Sequence, residues 1–162
     1  MKSRVGLGFD AHPFSPGRAL RLGGLEIPGS PGLVGHSDGD ALLHAIADAI
    51  LGAAALPSLG ELFSDRDPAW KDADSAQFAL RARDLASEKG WRIGNVDAVV
   101  VAEAPRIAPH APAIRARIAG ILGLDVAQVS VRGTSTNGLG FPGRREGLAA
   151  MAVVLLESTD AE

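Results

Sequence analysis

The sequence predicts an α+β sandwich containing βαβ units, with an α/β sandwich as the alternative. Three observations lead there. Strand-like and helix-like segments alternate along the chain. The N-terminal segment has a strict two-residue period. No repeat, low-complexity tract or linker interrupts the 162 residues, a length that one domain can fill with a real core.

The elements follow in order. "SRVGLGFDAH" sets Val5, Leu7 and Phe9 on one face and Arg4, Gly6, Gly8 and Asp10 on the other, which is a strand. "LRLGGLEIP" reads as a short hairpin turning at Gly23-Gly24. Ser37 or Asp38 is suited to cap a helix running to about Ala54, with Leu43, Ile46 and Ile50 on its apolar side. "LPSLGELFSDRDP" is expected to be a turn-rich loop, and "DADSAQFALRARDLASEKG" a second amphipathic helix closed by Gly90. "WRIGNVDAVVVAEAP" is a strand, "APHAPAIRARIAGILG" a helix with Pro112 near its first turn, and "QVSVRGTST" another strand. "LAAMAVVLL" carries no alternation, so it is expected to be a strand buried on both faces.

Composition narrows the function classes. That run from Leu148 to Leu156 is far short of the ~20 residues needed to span a bilayer. "MKSRVGLGFDAHPF" has no apolar core followed by a small-residue cleavage site, so no signal peptide is expected. The absence of cysteine excludes disulfides and thiolate metal sites and fits a reducing cytoplasm. A net charge of −3 without a basic stripe argues against nucleic acid as a partner. With 46% hydrophobic residues and no membrane segment, the chain has apolar surface to spare for contacts in an oligomer.

The chemistry concentrates in a few places. Asp10 and His12 project from one strand face. His44 follows Asp40 by four residues and precedes Asp48 by four, so the three share a helix stripe. One carboxylate and two imidazoles suit zinc or a similar divalent ion with a coordination position left open. Asp40 or Asp48 is then placed to accept the second ring proton of His44. Taken alone, His44 also reads as a partly buried histidine beside an aspartate. His36 and Ser37, before or at the start of the helix, point to an anion such as phosphate at its free N–H groups, with plain capping by Ser37 as the alternative. Asp38 and Asp40 are equally at home as first-turn carboxylates. "GTSTNGLGFPGRREG" offers the hydroxyls of Thr134, Ser135 and Thr136 beside glycines, a phosphate cradle or a simple turn-rich loop. The prolines of "AEAPRIAPH" fix a strand exit, either a ligand wall or a connection. No G-x-S-x-G and no cysteine support acyl chemistry.

Together, "GLGFDAHPF", "GHSDGDALLHAIADAILGAAAL", "LFSDRDPAWKDADS", "GNVDAVVVAEAPRIAPH" and "GLGFPGRREGLAAMAVVLL" resemble the 2-C-methyl-D-erythritol 2,4-cyclodiphosphate synthase family over almost the whole chain. The resemblance implies a single domain over residues 1–162, a mixed sheet covered by helices on one face, and a cytoplasmic homotrimer with active sites between subunits. It implies conversion of 4-diphosphocytidyl-2-C-methyl-D-erythritol 2-phosphate to the cyclic diphosphate and CMP, in non-mevalonate isoprenoid synthesis. It assigns a metal, zinc first, to Asp10, His12 and His44, and a second magnesium or manganese to the diphosphate. His36 and Ser135 become catalytic, and Asp10, Ala11, His12 and Ser37 also meet the substrate. The nucleotide pocket maps to Ala102, Glu103, Ala104, Pro105, Arg106, Ile107 and Ala108, with Thr134, Ser135, Thr136 and Asn137 at the phosphates. Ser58, Leu59 and Gly60, then Phe63, Ser64, Asp65, Arg66 and Asp67, meet the ribose and the erythritol portion. Phe141 and Arg144 lie near the subunit contact.

The chain departs from the family pattern at several positions. Ser58 stands where an aspartate usually holds ribose hydroxyls, and Asn137 where an acidic residue usually ligates magnesium. Arg106 keeps the charge of a usual lysine, and Met151 replaces a glutamate often facing the trimer axis. Two other readings stand beside the synthase: a metal-dependent phosphoesterase that brings water to a phosphate ester, and a trimeric nucleotide- or isoprenoid-binding protein without turnover.

Overall fold

The computed structural model describes residues 2–64 and 66–159. In chain order the elements are β1 (Ser3–Leu22), β2 (Leu25–Leu33), α1 (Ala41–Ala53), α2 (Leu59–Leu62), α3 (Ala76–Glu88), β3 (Trp91–Val101), α4 (Ala111–Leu122), β4 (Val129–Thr134), α5 (Gly140–Gly143) and β5 (Gly147–Ser158). Single 3-10 turns precede α3 at Pro68–Trp70 and β4 at Val126–Gln128. The strands form one mixed sheet in the order β2-β1-β5-β3-β4.

The class is α+β, with fewer βαβ units than the alternation of segments suggested. Only β3 and β4 run parallel, joined by α4, whereas β5 pairs antiparallel with both β1 and β3. The Gly23-Gly24 turn has both glycines at positive φ, and it joins two strands much longer than the short hairpin expected.

Helix α1 is the spine of the domain. It packs on β1 and β5 on one side and on α3 on the other, so every residue except His44, Asp48 and Gly52 is buried. It therefore lacks the polar face of a surface helix. The close seat on β1 depends on Gly6 and Gly8, where an added Cβ would lie 1.9 Å from the Ala49 carbonyl oxygen and 1.8 Å from that of Ala45. The helix starts later than expected. Asp40, not Ser37 or Asp38, is its N-cap, accepting from Leu43 N at 3.0 Å.

The face of β1 that carries the glycines is thus the covered one, and its apolar face is open. Val5, Leu7 and Phe9 are 67%, 63% and 57% exposed within the chain. Beside them on β5, Met151 and Val153 are also exposed, while Ala150, Ala152 and Val154, which alternate with them, are buried. The expectation of a last strand buried on both faces is therefore corrected for the single chain. All helices that cover the sheet lie on one side, and the missing alternation reflects a second apolar face.

Candidate functional site

The backbone arrangement explains why three distant residues meet. Asp10 and His12 share the glycine side of β1, which faces α1, and His44 is one of the few α1 residues directed to the edge of that contact. Asp10 Oδ2 lies 2.6 Å from His12 Nε2 and 3.0 Å from His44 Nδ1. The ligand atoms of the three all fall within 4.8 Å of one another.

Each imidazole is anchored through its other nitrogen. His12 Nδ1 faces the Val34 carbonyl at 2.5 Å, and since a carbonyl only accepts, Nδ1 carries a proton. His44 Nε2 faces Ser75 Oγ at 2.9 Å and Ser37 Oγ at 3.2 Å. The hydrogen bond to Asp10 raises the His12 pKa against the opposing effect of partial burial. Burial works against the Asp10 carboxylate, but hydrogen bonds from His12 and His44 and their charges outweigh it and hold its pKa far below the usual range. The cluster draws in positive charge. A divalent cation fits this donor set: one anionic oxygen and two ring nitrogens converge, with the outer ring positions already held.

Several expected roles change. The anion position at the start of α1 is filled by the Asp40 carboxylate, which accepts from Gly23 N at 2.9 Å, Gly24 N at 2.6 Å and Leu43 N. His36 and Ser37 lie in the loop that precedes the Asp40 cap. His36 is exposed, its Nε2 directed to the Asp67 carbonyl at 3.3 Å, whereas Ser37 is buried with its hydroxyl toward His44. Neither Asp40 nor Asp48 orients His44. Asp48 accepts from Leu59 N at 2.6 Å, because both carboxylates serve backbone donors that folding would otherwise leave unpaired. Asp38 is no helix-end charge; it accepts from Ser75 Oγ and Ser75 N.

A cavity of about 350 Å3 opens beside the triad, lined by His12, His36, Ser37, His44, Leu59, Gly60 and Phe63. Its apolar wall is an aromatic cluster that sequence reasoning missed: Phe63, Trp70 and Phe78 have ring centroids 5.0 to 5.6 Å apart, and Phe78 touches His44. Within the expected loop, Ser58 caps α2, and both its N–H and its hydroxyl donate to Glu61. The S-x-x-E spacing was the available signal. Ser64 accepts from Arg66 N, and Asp67 caps the Pro68–Trp70 turn, while Asp65 lies outside the described residues.

A second cavity of about 370 Å3 gathers Ala102 to Ala108, save Ala104, with Gly133, Thr134 and Ser135. Ala104 and Pro105 are joined by a cis bond at the exit from β3. Glu103 Oε1 accepts from Thr136 N at 3.2 Å and Gly138 N at 3.1 Å, which fixes the hydroxyl loop against the pocket. Asn137 adopts φ 53, a left-handed conformation that asparagine tolerates well. Phe141 is exposed on α5, and Arg144 pairs with Glu146.

The two cavities share no lining residue. Ladder register aligns Ala11, Ala149, Val101 and Thr134 across four adjacent strands, so Ala11 and Thr134 stand about 14 Å apart at the usual strand spacing. One chain therefore holds two separated cavities.

The fold and its donor set are those of a small α+β enzyme with a two-histidine, one-carboxylate centre. Residues 3–157 match the YgbB family. The chain belongs to this family, that of the 2-C-methyl-D-erythritol 2,4-cyclodiphosphate synthases. It is 54% identical to the enzyme of that name from Halalkalibacterium halodurans, over 94% of this chain and 98% of the relative. Among solved structures, the bifunctional IspDF from Campylobacter jejuni matches with a TM-score of 0.94 and 41% identity, over 98% of this chain and 43% of that longer one. The IspF of Plasmodium falciparum, solved as a CDP complex, matches with a TM-score of 0.85 and 34% identity over 98% and 97% of the two chains.

Proposed function

We propose that the chain, acting as one domain over residues 1–162, converts 4-diphosphocytidyl-2-C-methyl-D-erythritol 2-phosphate into 2-C-methyl-D-erythritol 2,4-cyclodiphosphate and CMP. An oxygen of the 2-phosphate forms a bond to the β-phosphorus, the bond from that phosphorus to the bridging oxygen breaks, and CMP leaves with the electron pair. The nucleophile is already ionised near neutral pH, so no strong general base is required. What the protein must supply is positioning of mutually repelling anions and stabilisation of charge on the leaving group.

The observation that supports this reading most is the meeting of Asp10, His12 and His44 in space. Zinc held by these three residues would polarise phosphate oxygens as a Lewis acid. His36, exposed at the edge of the triad cavity, donates to the phosphates, and Ser135 does so through its hydroxyl at the other cavity. Ala102 to Ala108 take the cytosine side, Arg106 contributes positive charge, and Phe63 to Asp67 with Leu59 and Gly60 close over the erythritol portion. Ser37, turned inward, serves the triad more than the substrate. Around a second divalent ion the chain offers only neutral oxygens at residues 134–137, and Glu103 is engaged with backbone N–H groups. That donor set does not suit magnesium, and no step depends on it.

The working form is a cytoplasmic homotrimer. Its open apolar face, from Val5 to Phe9 on β1 and Met151 and Val153 on β5, packs toward the threefold axis, and the half-sites of neighbouring copies meet. Phe141 and Arg144 lie at that contact.

The test is to incubate the protein with the substrate and follow phosphorus by NMR, with and without a chelator. Equal amounts of CMP and cyclic diphosphate are expected, stopped by chelation and restored by zinc. A linear hydrolysis product would identify a phosphoesterase instead, and binding without CMP release a protein without turnover.

A further inference from the structure

Ser75 is fully buried, although serine is seldom found fully buried, and it sits immediately before α3, away from the substrate cavities. Its hydroxyl lies 2.5 Å from Asp38 Oδ1 and 2.9 Å from His44 Nε2. A carboxylate only accepts, so the single Ser75 proton goes to Asp38. The Ser75 oxygen then has only lone pairs to offer His44, and Nε2 must be the protonated nitrogen. Nδ1 is left facing Asp10 Oδ2 at 3.0 Å. That contact needs positive charge between the two atoms, either a proton on Nδ1, which then donates to Asp10, or a metal ion.

We infer that Ser75, with its proton direction set by Asp38, is a positioning residue that fixes His44 as the Nε2–H tautomer and keeps Nδ1 available as a metal ligand. This rests on the proposed metal site and extends it outward by two residues. Ser37 does not duplicate the role. Its hydroxyl, 3.2 Å from the same nitrogen, has no carboxylate to take its proton and is free to donate or accept. Asp38 also accepts from Ser75 N at 3.2 Å, which keeps the serine in place at the start of α3. His44 is thereby tied to two elements, α1 through its backbone and α3 through its ring.

The test uses zinc alone, in competition with a chelator, on the full chain. Ser75→Ala should weaken zinc binding by about tenfold or more, the usual effect of removing a partner behind a metal-bound histidine. In zinc-loaded protein with 15N-labelled histidine, His44 should show a slowly exchanging Nε2–H signal that is lost or fast-exchanging in Ser75→Ala. Zinc affinity within about twofold of the parent with that signal intact overturns the inference. If Ser75→Ala melts below the assay temperature, Asp38→Ala, which breaks the chain of bonds at its far end, carries the same two readouts. Failure of the unsubstituted protein to bind zinc overturns the metal reading itself and the relay with it. Tight binding by both proteins removes the relay alone.

Discussion

His12 faces an acceptor at each ring nitrogen, the Val34 carbonyl and the Asp10 carboxylate, and this makes the metal-free protein sensitive to pH. Its folded pKa is raised above the ordinary value of about 6.5, so the stability it contributes is full below that pH and is lost as pH rises through the folded value. Asp10 is depressed, so its contribution is present above about pH 4 and is lost as pH falls toward its folded value. In thermal melts of chelator-treated protein, the advantage over His12→Gln should therefore be greatest between about pH 4 and 6.5 and shrink in alkaline buffer. A difference that stays constant with pH would contradict the pairing. The three triad residues were legible from strand and helix spacing. The partners behind His44 were not, because Ser75 is 31 residues away and nothing in "DADS" distinguishes a buried hydroxyl from a helix cap.

At the scale of elements, the meeting of Asp10, His12 and His44 depends on how closely α1 lies on β1. Gly8→Ala would push a methyl group against the Ala45 carbonyl, and the helix, being wedged against α3, can retreat only by disturbing its other face. Overpacking of this kind typically costs about 1–3 kcal/mol. Denaturant unfolding should show that loss, and zinc titration should show weaker binding as His44 moves from Asp10. Undiminished stability and zinc affinity would mean that the contact is not limiting. The period of β1 showed which residues share a face, but not that the glycine face is the covered one. Similarly, "HSDGD" contains three cap-capable residues, and the choice of Asp40 depends on the hairpin amides at Gly23 and Gly24 that it also satisfies. Element α2 was hidden among Pro57, Gly60 and Ser64, although its capping pair at Ser58 and Glu61 was in view.

Across the whole molecule, the surplus of apolar residues and the separation of the two cavities have one common explanation. An exposed patch of Val5, Leu7, Phe9, Met151 and Val153 is unusual on a solitary chain, and in the proposed reaction the triad cavity and the cavity at Thr134, on strands about 14 Å apart, would each be incomplete alone. The sequence indicated the surplus and the two motifs. It did not show their separation, which follows from strand order and not from local pattern. In the proposed trimer, each reaction centre takes His44 from one copy and Ser135 from its neighbour. The most direct measurement is subunit mixing: His44→Ala and Ser135→Ala proteins, each nearly inactive alone, are denatured together and refolded in equal amounts. Random assembly leaves both halves intact at about a quarter of the contacts, so CMP release should recover to about a quarter of the parent rate. Mixed trimers that form but release CMP no faster than the two variants alone would contradict a site shared between copies.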